Sequence, residues 1–211
     1  MLGYSSDQIR AAEAPLLAAG VPLMARAAHG LADVIASLAP TSVLLLVGTG
    51  DNGGDALFAG AELAASGIDV RIVRTGSRVH EAGFAAALDA GAVETDDPVG
   101  FAGRADVVVD GILGTGTSAS PALRSPAREL VESLIPVARR VVAVDLPSGI
   151  SPDDGTVPSP VVLRADITVT FGGCKAGLLL EPGSSYAGDV RLIDIGLDLS
   201  KVEPVIGEPT S

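Results

Sequence analysis

The stretch Val43-Leu44-Leu45-Leu46-Val47-Gly48-Thr49-Gly50-Asp51-Asn52-Gly53-Gly54-Asp55-Ala56 joins an apolar run to glycines at 48, 50 and 53. A short apolar run ended by glycine reads as a strand buried on both faces. The G-x-G-x-x-G spacing after it is that of a turn bringing a dinucleotide pyrophosphate onto a helix N-terminus. Arg74, at the end of the next strand, suits a 2′-phosphate there. Asp51 and Asp55 argue the other way, because two carboxylates beside the phosphate seat repel a pyrophosphate. The stretch therefore predicts an α/β fold while leaving an NADP-dependent dehydrogenase and a different nucleotide site both open.

Working outward, strands are predicted at Ser42–Val47, Asp69–Val73, Ala92–Glu94, Ala105–Val109, Arg140–Val144, Asp166–Thr170 and Asp189–Ile193. Helices are predicted near Asp55–Ser66, Val79–Ala90 and Pro121–Ala138, the last with Ser120 as N-cap and Pro121 in its first turn. Two further helices precede the first strand. One opens with the capping box Ser5-x-x-Gln8 and runs toward Gly20; the other starts near Pro22 and runs toward Pro40. Alternating strands and helices predict a Rossmann-like three-layer α/β/α sandwich with a mostly parallel sheet. The segment Cys174–Gly188 lacks a convincing helix, which predicts an antiparallel edge strand for Asp189–Ile193. One domain over residues 1–211 is expected, with a surface extension after Asp198.

Composition agrees with this class. Of 211 residues, 47% are apolar and only 3% aromatic, so Ala, Val, Leu and Ile must fill the core, as in helices packed on a parallel sheet. Fourteen Lys and Arg against 26 Asp and Glu give a net charge of −12, which disfavours nucleic acid and anionic membranes as partners. With Cys174 the only cysteine, no intramolecular disulfide can form. The N-terminus has no signal-peptide pattern and no apolar run is long enough to span a bilayer. A cytoplasmic protein is expected.

Ligands of open α/β sheets sit at the carboxyl ends of the strands. Four such junctions are unusual: Gly48–Asp55, Asp110–Ser120, Asp145–Gly149 and Thr170–Gly177. Asn52, Asp110 and Ser148 bring oxygen-bearing side chains from three strand ends, which suits a monovalent or divalent hard cation, although each also suits an ordinary turn cap. Gly114, Thr115, Gly116, Thr117, Ser118, Ala119 and Ser120 offer backbone N–H groups and hydroxyls and lead directly into a predicted helix, a phosphate cradle. Asp145 follows a buried strand, where desolvation favours its protonated form and suits it to acid/base chemistry. Lys175 offers a cation for a phosphate or a proton for chemistry. Cys174 reads as a packing residue, and His29 and His80 as surface or helix-end residues.

Taken in order, these junctions resemble the NAD(P)H-hydrate epimerase family, a YjeF N-terminal-type Rossmann-like domain. The resemblance covers nearly the whole chain. It rests on Tyr4, Arg10, Glu13, Gly20-Val21-Pro22 and Leu23-Met24, on D51-N-G-G-D-A56, V109-D-G-I-L-G-T-G116, D145-L-P-S-G149 and T170-F-G-G-C-K-A-G177, and on P182-G and D194-I-G-L197. It implies interconversion of the R and S forms of hydrated NADH and NADPH in cofactor repair. It further implies a potassium ion at Asn52, Asp110 and Ser148, and substrate contacts from Asp51, Asn52, Gly53, Gly54 and Asp55, from Gly114 through Ser120, and from Asp145. Asp145 is expected to be the acid/base, with Lys175 a second proton carrier or a phosphate contact. A homodimer is implied, as is an ADP- or ATP-dependent NAD(P)H-hydrate dehydratase as functional partner, on a separate chain or on a longer one containing this domain.

Four positions depart from the family pattern: Asp51 replaces the first Asn of the loop, Ala56 a Gly, and Leu23-Met24-Ala25-Arg26-Ala27-Ala28 loses a Glu at 25 and a Gly at 28. These bear on substrate affinity and dimer geometry. The reading from another class is a non-catalytic nucleotide-binding or scaffold module on the same fold.

Overall fold

A computed structural model describes residues 1–117 and 120–207, with only the backbone described for Thr117. In chain order the elements are β1 (Gly3–Tyr4), α1 (Ser6–Ala18), α2 (Leu23–Ala36), β2 (Ser42–Val47), α3 (Asp51–Ala65), β3 (Asp69–Arg74), α4 (Glu81–Asp89), β4 (Val93–Glu94), α5 (Pro98–Ala102), β5 (Val107–Gly111), α6 (Ala127–Leu134), β6 (Val141–Val144), β7 (Ile167–Phe171), β8 (Cys174–Lys175), α7 (Ser184–Ala187) and β9 (Asp189–Ile193). Short 3-10 turns occupy Thr115–Thr117 and Ala176–Leu178.

Among the described residues the main sheet runs β4-β3-β2-β5-β6-β7-β9. Its strand order reverses at β2, so the carboxyl ends of β2 and β5 flank the topological switch point where such sheets hold ligands. The apolar run of β2 explains its central place. Val43, Leu45 and Val47 pack with residues of α2, α3 and α4, whereas Leu44 and Leu46 pack with residues of α5 and α6 on the other face. Alternation along one strand thus fills two cores, giving the three layers.

Every pairing in the main sheet is parallel, including β7 with β9, where Ile167 lies opposite Asp189 and Phe171 opposite Ile193. The expected antiparallel edge strand is therefore wrong. Residues 172–188, with β8, a 3-10 turn and the short α7, carry the chain back to the start of the sheet, and a dozen or so residues suffice for such a crossover.

Two helix boundaries also differ from expectation. Helix α3 begins at Asp51, so most of the glycine-rich stretch forms its first turn instead of preceding it. Helix α6 begins at Ala127, and the predicted start at Pro121 with a Ser120 cap fails. A helix running through Pro126 would lose a hydrogen bond and drive the proline ring into the carbonyl of Ala122. The capping box at Ser5 forms as expected, with Gln8 N–H donating to the Ser5 hydroxyl and Ser5 N–H to the Gln8 side chain.

Beside the main sheet, β1 pairs in parallel with β8, setting Gly3 opposite Cys174 and Tyr4 opposite Lys175. This two-stranded sheet anchors the start of α1 against the Thr170–Gly177 junction. Ser6 N–H strengthens the anchor by donating to the Asp153 carboxylate at 2.6 Å.

Candidate active site

Two of the three glycines of the opening stretch are required by close backbone approach. A Cβ on Gly48 would lie 1.8 Å from the carbonyl oxygen of Ile112, and one on Gly53 would lie 2.3 Å from that of Gly48, whereas Gly50 faces open space. Gly48 thus lets the β2 turn press against the β5 turn, and Gly53 lets α3 start directly on top of it. Gly50 is the N-cap and supplies no side-chain cap, so the first N–H groups of α3 stand at the switch point without one. Asp51, exposed in that first turn, sits where the helix dipole favours a negative charge.

Below this turn, Asn52 and Ser148 meet on the backbone of Leu113, and Asp110 bonds to Ser148. Asn52 Nδ2 donates to the Leu113 carbonyl at 2.9 Å, and Leu113 N–H donates to Ser148 Oγ at 2.8 Å. Asp110 is 1% exposed and accepts from Ser148 Oγ at 2.6 Å, from Ser148 N–H at 2.8 Å and from Ile112 N–H at 3.3 Å. Burial pushes the Asp110 carboxyl above its ordinary range, against the pull of its bonds to Ser148 and Ile112, and no Lys, Arg or His forms an ion pair with it among the described residues. A buried carboxylate with no paired cation, bonded to the Ser148 hydroxyl, which also reaches the Leu113 carbonyl that the Asn52 amide contacts, offers oxygen donors of the kind a hard monovalent ion takes. Clusters of His, Cys, Asp and Glu suited to a transition metal are absent among the described residues.

Asp145 follows β6 with φ +68°, a left-handed conformation that side chains other than Asn and Asp rarely adopt. Its N–H donates to the Val169 carbonyl at 2.7 Å, and its carboxylate forms an ion pair with Lys175. Lys175 is 2% exposed, and it also donates to the Thr170 hydroxyl at 3.2 Å and to the Phe171 carbonyl at 3.0 Å. The Thr170 hydroxyl in turn lies 3.2 Å from Asp145 Oδ1 as its donor. An ammonium has three N–H donors and all three are taken. Lys175 therefore holds Asp145 in place.

Asp145 and Lys175 line a cavity of about 460 Å³ with Asp51, Asn52, Asp55, Gly114, Thr115 and Gly116. Asp55 is its most perturbed group. Burial, then the charges of Asp145 and Asp51, push the Asp55 carboxyl up to about 8, only partly opposed by Lys175. Near neutral pH the cavity thus presents one carboxyl that keeps its proton and one carboxylate clamped by an ammonium, which is the division needed to donate and accept protons at a single carbon.

Most expected site residues come together, with exceptions. Gly53 and Gly54 are not among the cavity-lining residues; Gly53 lies against the Gly48 carbonyl and Gly54 against Met24 and His80. Ser120 lines a neighbouring cavity, and the loop it ends does not lead directly into α6. Ser118 and Ala119 lie outside the described residues, as does the side chain of Thr117. Arg10 and Glu13 of α1 were named only as part of the family pattern, yet both line the cavity. Burial raises the Glu13 carboxyl despite the opposing charge of Lys175. Their three-residue spacing on a capped helix was the available signal, but nothing local tells which way that helix faces.

The remaining side chains keep the expected roles. Cys174 is buried and its thiol is pushed up to about 11 by burial, which suits packing rather than nucleophilic attack. His29 is exposed beside Glu62 and Asp33, and His80 caps α4 by accepting from Gly83 N–H at 3.1 Å. Arg74, the candidate for a 2′-phosphate, is instead paired with Glu94 and lies over the Phe84 ring.

Residues 20–177, which carry all four junctions, match the family model described as YjeF-related protein N-terminus. The chain belongs to that family. Among YjeF N-terminus relatives, it is 53% identical to the NAD(P)H-hydrate epimerase of Clavibacter michiganensis subsp. michiganensis, over 97% of this chain and 94% of that one. It is 55% identical to the protein of that name from Clavibacter sepedonicus, over 96% and 94%. A bifunctional NAD(P)H-hydrate repair enzyme, Nnr, of Mycobacterium tuberculosis is 39% identical over 98% of this chain but only 44% of its own length. The crystal structure of yeast ynu0 superposes with a TM-score of 0.74 at 21% identity, covering 91% of this chain and 87% of that one, which supports the fold. Among the described residues no helix is long and apolar enough to cross a membrane.

Proposed function

We propose that this chain is an NAD(P)H-hydrate epimerase, an isomerase that inverts the hydroxyl-bearing carbon beside the ring nitrogen of hydrated NADH or NADPH. The observation that carries the reading is the placement, in one cavity, of Asp145 clamped by Lys175 beside Asp55, whose carboxyl is pushed up to about 8 by burial and by the charges of Asp145 and Asp51. Inversion requires the carbon–oxygen bond to break and re-form on the opposite face. The Asp55 carboxyl protonates the departing hydroxyl, the ring nitrogen lone pair forms an iminium, and water adds to the other face while Asp145 takes its proton. The surplus of carboxylates in the cavity stabilises the positive charge that develops on the ring.

A potassium ion is part of the proposal, held by Asn52, Asp110 and Ser148. When bound it supplies charge that compensates Asp110 and fixes the β2, β5 and β6 loops relative to one another. A cytoplasmic homodimer acting alongside an ADP- or ATP-dependent dehydratase completes the proposed setting. The test uses the separated R isomer of hydrated NADPH, incubated with and without potassium, with the isomer ratio followed by chromatography. The ratio is expected to move to equilibrium faster with enzyme, and no change under either condition would remove the epimerase reading.

A further inference from the structure

A second cavity of about 420 Å³ abuts the first and shares Thr49, Ile112, Leu113 and Gly116 with it. Its chemistry is the opposite. The first cavity is lined by four carboxyl groups, Glu13, Asp51, Asp55 and Asp145, against Arg10 and Lys175. Among the described residues the second has no acidic residue in its lining, one guanidinium, Arg124, and the hydroxyls of Thr49, Thr75, Ser120 and Ser125. In a chain of net charge −12 an acid-free cavity bearing an arginine is selective for an anion. Arg124 makes no ion pair among the described residues; its guanidinium donates to Ser120 Oγ at 3.2 Å, which holds it beside the cavity. Thr75 places this cavity at the carboxyl end of β3, where dinucleotide folds recognise the adenosine ribose. Arg74, the other cation at that strand end, is already neutralised by Glu94.

We infer that the second cavity binds the adenosine half of the hydrated dinucleotide and that Arg124 contacts a 2′-phosphate, making it the residue that favours hydrated NADPH over hydrated NADH. The inference rests on the epimerase reading for its substrate. The two cavities match the two ends of that molecule: the ring that becomes cationic enters the acidic cavity, and the phosphorylated ribose enters the basic one. The pyrophosphate then crosses the shared wall, beside the uncapped N-terminus of α3.

The test titrates wild type and Arg124→Leu with adenosine 2′,5′-bisphosphate and adenosine 5′-phosphate by calorimetry, and compares kcat/KM for hydrated NADPH and hydrated NADH. Wild type is expected to bind the bisphosphate about tenfold tighter or more, since a charge-assisted contact to phosphate is lost in the other ligand. Arg124→Leu is expected to bring the two ligands to within about twofold and to lower the NADPH-to-NADH ratio of kcat/KM about tenfold, through KM. Equal binding of both nucleotides by wild type, or a preference that survives Arg124→Leu, overturns the inference. If neither hydrated cofactor is epimerised, the functional reading fails, while the nucleotide titration still decides what the cavity binds.

Discussion

Lys175 gives all three of its ammonium donors to groups around β7, and the one that matters for chemistry goes to Asp145, whose own backbone is held in the left-handed region at φ +68°. A buried ion pair of this kind is costly to break from one side, because the surviving charge is left without solvent or partner. Lys175→Met is expected to lower stability by about 3–5 kcal/mol, read by denaturant unfolding. The double variant Asp145→Asn, Lys175→Met is expected to be more stable than Lys175→Met alone, since it leaves no orphan charge. Equal stabilities would show that the pair is not coupled.

Asp145→Asn keeps the shape and the left-handed backbone while removing the proton acceptor. Epimerisation is expected to fall by roughly 10²- to 10⁴-fold in kcat, with the near-unchanged circular dichroism of a folded chain. Full activity in a normally folded Asp145→Asn protein would sink its assignment as base.

Asp55 predicts a pH dependence of two kinds. Its carboxyl is pushed up to about 8 in the folded chain from an ordinary value of 3.8. Below the lower value it is protonated in both states and costs nothing. As pH rises toward 8 the unfolded chain releases the proton while the folded chain keeps it, so stability is lost progressively and levels off above 8. Asp55→Asn is expected to gain melting temperature over wild type by a few degrees at about pH 8.5 and by less at about pH 5. The activity of wild type is expected to fall above about pH 8 as the donor proton is lost. A flat difference in melting temperature across this range would rule out Asp55 as the perturbed group.

The opening glycines predict a contrast. Gly48→Ala forces a Cβ into the Ile112 carbonyl, a backbone atom that cannot yield cheaply, and is expected to cost about 1–3 kcal/mol or more. Gly50→Ala meets nothing within 4 Å and is expected to change thermal unfolding little, within about 0.5 kcal/mol. Similar losses for both would mean that the close approach of the two turns is not what Gly48 provides.

Potassium is expected to stabilise the folded chain by mass action. Exchanging choline for potassium at constant ionic strength, at about ten times the dissociation constant, is expected to add about 1.4 kcal/mol, or roughly 3–6 °C. Ser148→Ala is expected to abolish most of that increment, whatever it does to stability without potassium. An equal increment in both proteins would place the ion elsewhere.

Much of this was legible from local pattern. The run Ser42–Val47 and the stretch Asp189–Ile193 form strands with the expected bounds, because short apolar or alternating runs between turn residues leave few other options. The capping box at Ser5 is equally local. The start of α6 departs from the expected Pro121 because Pro126, five residues on, forbids a helix running through it. The direction of β9 departs from expectation because irregular residues 172–188 carry no helical period, although their number is enough for a crossover.

What the sequence determined by itself is the layered α/β fold, the four strand-end junctions and the residues Asn52, Asp110, Asp145 and Ser148 as candidates, since all of these follow from the order and spacing of side chains. Tertiary structure alone decided that Lys175 pairs with Asp145, that burial and neighbouring charges push the Asp55 carboxyl up to about 8, that Glu13 of the first helix enters the cavity, and that a basic cavity adjoins an acidic one. These depend on burial and on charges brought together across the chain, as with Asp55 and Asp145, and neither desolvation nor a through-space field is encoded in any window of neighbouring residues.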